Sequence, residues 1–338
     1  VYINVTDKLQ DLLSFALSAQ ATDIHFFPEH SSEQVVVRYR MNGTLENRET
    51  LPMLLYEKLL QHLKFSSSLD IGEKRLPQSG SYLFKLKNEH FPLRVSTLPG
   101  RPLEHLVIRL LPSQTLQLSE LSLFPNQTDQ LFAMSQIPHG LLLVSGPTGA
   151  GKSTTLYALL QTIANAGHKH IVTLEDPVEM SLEHIVQLQV NERSGFSYAE
   201  GLRSILRHDP DVIVIGEIRD ALTAKMAVRA ALTGHLVLST IHGSNAFSVG
   251  RRMIDYGVLE MDLDDCLLGV VSQRLTQLTV SPANKRTRAA IFDVAPNKTW
   301  KTEERHYKGI NQQLLKAYVC GYISNSERRR WTMLEMEA

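Results

Sequence analysis

Cysteine is nearly absent: the 338 residues contain two, Cys266 and Cys320. Two thiols cannot staple a chain of this size, so a disulfide-built secreted scaffold is excluded and a reducing compartment is expected. Net charge is absent as well, with 35 Lys+Arg against 35 Asp+Glu. A protein whose main work is coating nucleic acid needs an excess of Lys and Arg to neutralise phosphates, and there is none. Aromatics are only 7%, few for a stacking groove, which disfavours a nucleic-acid motor and specific nucleic-acid binding. No apolar run approaches the roughly 18 residues that span a bilayer. The first residues, VYINVTDKLQDLL, carry acids where a signal peptide carries bases. A soluble cytoplasmic protein is therefore expected. What is present, 43% hydrophobic and 21% charged residues, is ordinary for globular chains, and the length predicts about two domains.

Residues 1–109 read as α+β. Thr6 is expected to cap a helix whose apolar positions Leu9, Leu12, Leu13, Ala16 and Leu17 recur at helical spacing. An Asn42-Gly43 pair between alternating runs predicts a hairpin. Its first strand would carry Val35, Val37, Tyr39 and Met41 on one face, Arg38 and Arg40 on the other. Strand-like runs SYLFKLK, FPLRVSTL and VIRLL follow. The polar, Pro-containing stretch 110–128 breaks the pattern and predicts a linker to a second domain over 129–338.

That second domain reads as α/β. Four short apolar runs, LLLVS (141–145), IVTL (171–174), VIVI (212–215) and LVLST (236–240), are separated by helical stretches. Continuous apolar character marks strands buried on both faces of a parallel sheet. Every run ends in polar chemistry, and ligands of open α/β sheets sit beyond the carboxyl ends of the strands.

The first end is GPTGAGKST: Gly146, Pro147, Thr148, Gly149, Ala150, Gly151, Lys152, Ser153 and Thr154. It matches the phosphate-loop pattern, with a strand before and a helix after, a setting that a chance glycine-rich turn would lack. Its backbone N–H groups would close around phosphate oxygens, with Lys152 on the β- and γ-phosphates and the Ser153 hydroxyl on Mg²⁺. The cofactors implied are ATP and Mg²⁺. The second end, TLEDPVE, crowds Glu175, Asp176 and Glu179 into five residues. Such carboxylates repel unless a cation or an attacking water needs them. Glu179 is expected to orient or deprotonate that water, with Glu175 second.

The third end delivers Glu217 beside the phosphate loop, to complete the Mg²⁺ shell or polarise water. Upstream, Ser197 and Glu200 form a capping-box pattern opening a helix with Arg203 and Arg207 at i, i+4, and Arg219 follows the strand. Each arginine could stabilise transition-state charge or form a surface ion pair with nearby acids. The fourth end delivers His242, which can donate to a γ-phosphate oxygen. His235, at the other end of that strand, is expected to be structural, and the two are too far apart to be a zinc pair.

With these motifs on the page, the run LRHDPDVIVIGEIRD resembles the signature of the secretion ATPase superfamily, which comprises type II secretion, type IV pilus and competence motors. The phosphate loop, the acidic TLEDPVE box and the histidine box TIHGSNA follow in that family's order, and ATDIHFFP, DIGEKRLPQSGSY and LRVSTLPGRPLEHLVIRLL are similar to its second N-terminal domain. The likeness covers about residues 15–295. It implies an α/β RecA-like P-loop ATPase domain preceded by a smaller α+β, PAS-like N-terminal domain. It also implies Glu179 as catalytic carboxylate, Glu217 as Walker B glutamate and a mobile linker. Arg94 and Arg109 fall where the family places arginines that reach a nucleotide at a domain junction. Type II secretion members often carry a paired C-x-x-C zinc module near QRL; residues 273–294 contain no cysteine, so no zinc is expected. The additional N-terminal docking domain of those members is likewise not expected. The pattern is most similar to the short competence ATPases of Gram-positive bacteria. The implied partners are five further copies in a hexameric ring and an inner-membrane platform protein, reached from the cytoplasmic face. The implied work is assembly of a pseudopilus for DNA uptake. A nucleotide-gated scaffold with little hydrolysis is the competing class, disfavoured because binding alone needs only the phosphate loop; a retraction motor would share the same ATP site.

The zero net charge hides an uneven second domain. Residues 175–265 carry 15 acids and 8 bases, and residues 274–330 carry 12 bases and 4 acids, ending in Arg328, Arg329 and Arg330. The basic stretch is expected either to meet the platform protein or an anionic membrane surface, or to be merely solvated.

Overall fold

The computed structural model describes residues 4–29, 32–41, 44–86, 89–111, 116–191, 195–279, 287–301 and 309–336. The chain forms two compact units, Val1–Gln114 and Thr115–Ala338.

Among its described residues, unit 1 contains two helices, α1 (Val5–Ser18) and α2 (Met53–Ser66), and six strands: β1 (Asp23–Pro28), β2 (Gln34–Met41), β3 (Thr44–Pro52), β4 (Gln78–Leu86), β5 (Glu89–Leu98) and β6 (His105–Leu110). The strands make one sheet in the order β3-β2-β1-β6-β5-β4, antiparallel throughout. Alternation decides its two faces: Ile24, Phe26, Val35, Val37, Tyr39, Val95 and Ile108 are buried with Leu9, Leu12 and Leu13 of α1 and Tyr56, Leu59 and Leu63 of α2. The cap of α1 is Asn4 rather than Thr6. The Asn4 Oδ1 accepts the Thr6 N–H at 3.2 Å from an extended backbone, so the helix has already begun at Val5. Asn42 and Gly43 lie outside the described residues; Met41 and Thr44 on either side pair in register. A buried ion pair ties this unit together: Lys64 Nζ donates to Glu104 Oε2 at 2.8 Å and to the Glu73 carbonyl at 2.7 Å.

Unit 2 is built on a seven-stranded sheet ordered β13-β12-β7-β11-β10-β8-β9. Its strands are β7 (Gly140–Ser145), β8 (Ile171–Glu175), β9 (Val186–Gln189), β10 (Val212–Ile218), β11 (Leu236–Ile241), β12 (Leu267–Gln277) and β13 (Arg288–Pro296). All pairs are parallel except β12 with β13. The four apolar runs are the adjacent strands β7, β11, β10 and β8. They are apolar throughout because both faces are covered: Leu141 and Leu143 join one core, Leu142 and Val144 another. Helices α5 (Tyr198–Ile205), α6 (Ala221–Leu232), α7 (Ala246–Asp255) and α8 (Glu260–Cys266) supply the first core. The second is supplied by α3 (Pro125–Ser135) and α4 (Lys152–Asn165). Two C-terminal helices, α9 (Gly309–Val319) and α10 (Asn325–Met336), close a smaller core around Leu314, Phe124 and Trp331.

Much of the stretch expected to be a linker is folded. Within 110–128, Leu118, Leu121 and Phe124 are buried in unit 2, and α3 starts at Pro125. Proline at the first helical position starts a helix rather than breaking one, because its missing N–H has no intrahelical partner to lose. Residues 280–286, within the segment without a zinc module, lie outside the described residues. Among the described residues no helix is long and apolar enough to cross a membrane.

Candidate active site

Strand β7 is wholly buried and ends at Ser145, where the chain turns through the glycine-rich loop into α4. Two of its glycines are dictated by geometry. A Cβ on Gly146 would stand 2.6 Å from the Gln273 carbonyl oxygen, and Gly151, the residue before α4, has φ +85° with a Cβ position 3.0 Å from Gln273 Nε2. The loop therefore presses against β12 and presents the N-terminus of a 14-residue helix, an arrangement suited to anions. Lys152 Nζ donates to the Gly146 and Pro147 carbonyls at 2.8 and 3.2 Å. Burial lowers the Lys152 pKa, with the Arg274 charge adding to the shift and the Glu217 charge opposing it. Ser153 and Thr154 follow in the first helical turn.

The acidic box divides into two environments. Glu175, at the end of β8, is 5% exposed. Thr173 Oγ1 and Gln187 Nε2 donate to its Oε1 at 2.6 and 3.2 Å, and the Tyr157 hydroxyl donates to its Oε2. Both oxygens are thus committed. Burial first, then the Glu175 charge, push the Tyr157 pKa far above that of an ordinary phenol, so Tyr157 keeps its proton. The same hydroxyl accepts the Glu179 backbone N–H at 3.2 Å, which fixes the turn that carries the exposed Glu179. Nearby, Tyr198 is pushed up to about 12, by burial first and then by the Asp176 charge.

Glu217 owes its position to an irregularity in β10. The pairing with β11 runs Ile215↔Ser239 and then Glu217↔Thr240, leaving Gly216 as a bulge. Ser239 and Thr240 hydroxyls donate to the Ile215 and Gly216 carbonyls at 2.6 and 2.8 Å and hold that bulge. Bulges re-aim side chains next to active sites, and here the carboxylate points into the cavity. Arg219 Nε donates to Glu217 Oε2 at 2.7 Å, which raises the already high pKa of the arginine. Glu217 Oε1 is buried and has no hydrogen-bond donor aimed at it, although His242 Nε2 lies 2.9 Å away. Burial, then the Lys152 charge, lower the His242 pKa, so its neutral form is favoured.

These groups line one cavity of about 440 Å³, bounded by residues 148–154, Glu175, Asp176, Glu179, Glu217, Arg219 and His242. The volume suits a small organic ligand, and the cradle of backbone N–H groups suits its phosphates. Among the described residues no three His, Cys, Asp or Glu side chains cluster as a metal cage. Mg²⁺ needs none: it takes one or two oxygen ligands from protein and the rest from phosphate and water. The Ser153 hydroxyl and the unpartnered Glu217 Oε1 fit that donor set.

Not every candidate is gathered here. Arg203 pairs with Glu200 at 3.4 Å on the exposed face of α5, and Arg207 falls beyond the end of that helix at Ile205; neither lines the cavity. The Ser197 side chain caps α5 through the Glu200 N–H, while the Glu200 carboxylate turns to Arg203. In unit 1, Arg94 and Arg109 are register partners across β5 and β6. Arg94 Nε donates to Ser79 Oγ at 3.1 Å and Arg109 Nε to Asp23 Oδ1 at 2.7 Å. Burial acts to raise the Asp23 pKa, but the bonds from Arg109 and Thr22 outweigh it and hold the carboxyl below its usual value. Sequence reasoning missed Tyr157, Tyr198, Gln273 and Arg274. The last two were accessible: LLGVVSQRL is a fifth apolar run ending in polar residues.

A family profile described as type II/IV secretion system protein matches residues 3–337. The chain is 36% identical over 350 aligned residues to competence protein ComGA of Bacillus subtilis, covering 97% of this chain and 98% of that one. It is 40% identical over 343 residues to competence protein ComGA of Halalkalibacterium halodurans, covering 96% and 98%. Among solved structures it is similar to the pilus retraction motor PilT with bound ADP, at a TM-score of 0.74 and 26% identity, over 95% of this chain and 96% of that one.

Proposed function

The chain belongs to the type II/IV secretion system protein family and is a motor ATPase of the secretion and pilus-assembly type, and we propose on that premise that the cavity on the phosphate loop hydrolyses Mg²⁺-bound ATP to drive assembly of a competence pseudopilus. The observation that carries the reading is the convergence, in one cavity, of a phosphate cradle with Lys152, Glu179, Glu217 and His242. The identity of 36–40% to competence proteins, against 26% to a retraction motor, favours assembly over retraction.

Ser153 Oγ and Glu217 Oε1 would hold Mg²⁺, which when bound offsets charge on the phosphate oxygens. The remaining chemistry belongs to the chain. Lys152 exchanges the Gly146 and Pro147 carbonyls for β- and γ-phosphate oxygens, a trade of neutral for charged acceptors. Glu179 takes a proton from water as that water attacks the γ-phosphorus, the bond to the β-phosphate oxygen breaks, and ADP and phosphate leave. Glu175 does not touch the reacting atoms; through Tyr157 it positions the turn that carries Glu179. His242 in its neutral form offers one N–H to a phosphate oxygen, and Arg219 places positive charge at the rim. Arg94 and Arg109 are our candidates for further arginines that counter phosphate charge during turnover.

The finer architecture we propose is a RecA-like ATPase domain behind a PAS-like domain, working as a hexameric ring at the cytoplasmic face of the membrane against an inner-membrane platform protein. The basic stretch 274–330 is the candidate surface for that contact. Turnover assays of the assembled protein test the reading: Lys152→Ala should abolish hydrolysis, and a scaffold that only binds nucleotide would show none to abolish.

A further inference from the structure

Two buried polar residues have no part in the chemistry above, and both stand behind the phosphate loop. On β12, Ser272 is level with Ser145 at the end of β7, and Gln273 and Arg274 come next, 1% and 3% exposed. Buried amides and guanidiniums are costly unless every group finds a partner, and here the partners join separate parts of unit 2. Gln273 Nε2 donates to the Ala150 carbonyl of the loop at 2.6 Å, while its Oε1 accepts Thr155 Oγ1 of α4 at 2.9 Å. The Gln273 carbonyl oxygen is the atom that a Cβ on Gly146 would strike. That same carbonyl accepts Arg274 Nη1 at 3.0 Å. Arg274 Nη2 donates to the Ser244 carbonyl at 3.1 Å, two residues past His242. The guanidinium lies 5.9 Å from the centre of the Trp331 ring on α10. Trp331 Nε1 donates to Glu327 Oε1 at 3.1 Å, and the same oxygen accepts the β12 N–H of Gln277 at 3.2 Å.

We infer that Gln273 and Arg274 are positioning residues that couple the phosphate loop and the His242 turn to the C-terminal helix α10. The inference rests on reading the cavity as a nucleotide site. When Lys152 leaves the Gly146 and Pro147 carbonyls, the loop backbone that Gln273 holds is the part that must adjust. When His242 engages phosphate, the Ser244 carbonyl that Arg274 holds lies on the same short turn. Both displacements meet at one planar guanidinium that also faces the Trp331 ring. Packed, hydrogen-bonded groups of this kind pass on discrete shifts rather than absorb them. Lysine cannot replace this arginine, because a single ammonium keeps the charge near Lys152 but loses the planar fork that spans two carbonyls and faces the indole.

The experiment reads Trp331 emission. Trp300 and Trp331 are the only tryptophans, so Trp300→Phe makes Trp331 the sole reporter in the full chain. Adding ADP or a non-hydrolysable ATP analogue should shift its emission. In Trp300→Phe/Arg274→Lys the shift should vanish, while equilibrium dialysis shows ADP still bound within about tenfold of the parent affinity. An equal shift in the Arg274→Lys variant, or no shift in the parent while dialysis shows bound ADP, overturns the coupling. Failure of both proteins to retain ADP removes the nucleotide reading, and the coupling with it. A second measurement leaves Trp300 in place. Arg274→Lys and Trp331→Ala should each lower kcat about threefold to tenfold with KM little changed, and the double variant should lose no more than the worse single one. Losses that multiply would show two independent structural effects and overturn the proposal.

Discussion

Glu217 Oε1 and His242 Nε2 stand 2.9 Å apart without a hydrogen bond between them, while the other Glu217 oxygen is held by Arg219 at 2.7 Å. The carboxylate is fixed on one side and unsatisfied on the other, at the wall of a cavity with a phosphate cradle. A buried oxygen left in that condition costs stability unless something else uses it, and a hydrated divalent cation is the simplest user.

The pair predicts an acid limit to activity. Burial and Lys152 lower the His242 pKa below its ordinary 6.5, so at neutral pH the ring is neutral. On acidification the unfolded chain takes up this proton before the folded one. The stability contribution of neutral His242 is therefore complete above about pH 6.5 and is lost as pH falls through the folded value. Protonation would also turn the 2.9 Å approach of His242 Nε2 to Glu217 Oε1 into a charge-assisted pair and occupy the proposed Mg²⁺ ligand. ATPase rate against pH should fall on the acid side, and His242→Gln should flatten that limb; a limb unchanged in His242→Gln would assign it elsewhere.

Glu179 and Glu175 should separate by phenotype. Glu179→Gln is expected to bind ATP normally and lose at least about 100-fold in kcat, the usual contribution of a positioned base, with an unchanged melting temperature. An undiminished rate in that variant would remove Glu179 as the base.

Tyr157→Phe deletes a donor to a buried carboxylate. It should lower stability by about 1–3 kcal/mol and reduce turnover less than Glu179→Gln does, because the phenol positions a turn rather than touching the reacting atoms. Thermal melts alongside kcat decide this; a full loss of turnover with an unchanged melt would place Tyr157 in the chemistry.

Metal dependence should localise to Glu217. Removing Mg²⁺ with EDTA should abolish hydrolysis in the parent protein, and Glu217→Gln should raise the Mg²⁺ concentration needed for half-maximal rate. An unchanged requirement would exclude Glu217 as a ligand.

In unit 1, Lys64→Met should destabilise by about 3–5 kcal/mol, since it strands Glu104 as an unpaired buried charge. Lys64→Met combined with Glu104→Leu should recover most of that loss in urea unfolding, because the desolvated charge is then gone.

Some parts of this architecture could be read without coordinates, and the reasons are local. The runs that become β7, β8, β10 and β11 announce burial on both faces by being almost wholly apolar with no charged side chain, and the glycine-rich loop between a strand and a helix carries its own steric logic. The hairpin of β2 and β3 and the amphipathic α1 follow from period-2 and helical spacing. The stretch 110–128 misled because Pro125 can end an element or begin one, and only the burial of Leu118, Leu121 and Phe124 against unit 2 decides which.

What the sequence by itself determined is the set of chemical groups and the strand ends that carry them, since strand alternation, helix periodicity and loop sterics act over a few residues. Tertiary structure alone decided how those groups divide the work. Glu175 and Glu179 are four positions apart and look equivalent as letters, yet the first is buried among Thr173, Tyr157 and Gln187 and the second is exposed on the turn that follows. Arg203 and Arg219 look alike too, but a helix face turns the first outward and the Gly216 bulge sets the second beside Glu217. Gln273 and Arg274 show the same limit from the other direction. More than 100 residues separate Gln273 from the phosphate loop it grips, Arg274 reaches the Ser244 carbonyl of another turn, and only the pairing of β12 with β7 brings the loop within hydrogen-bond reach of Gln273.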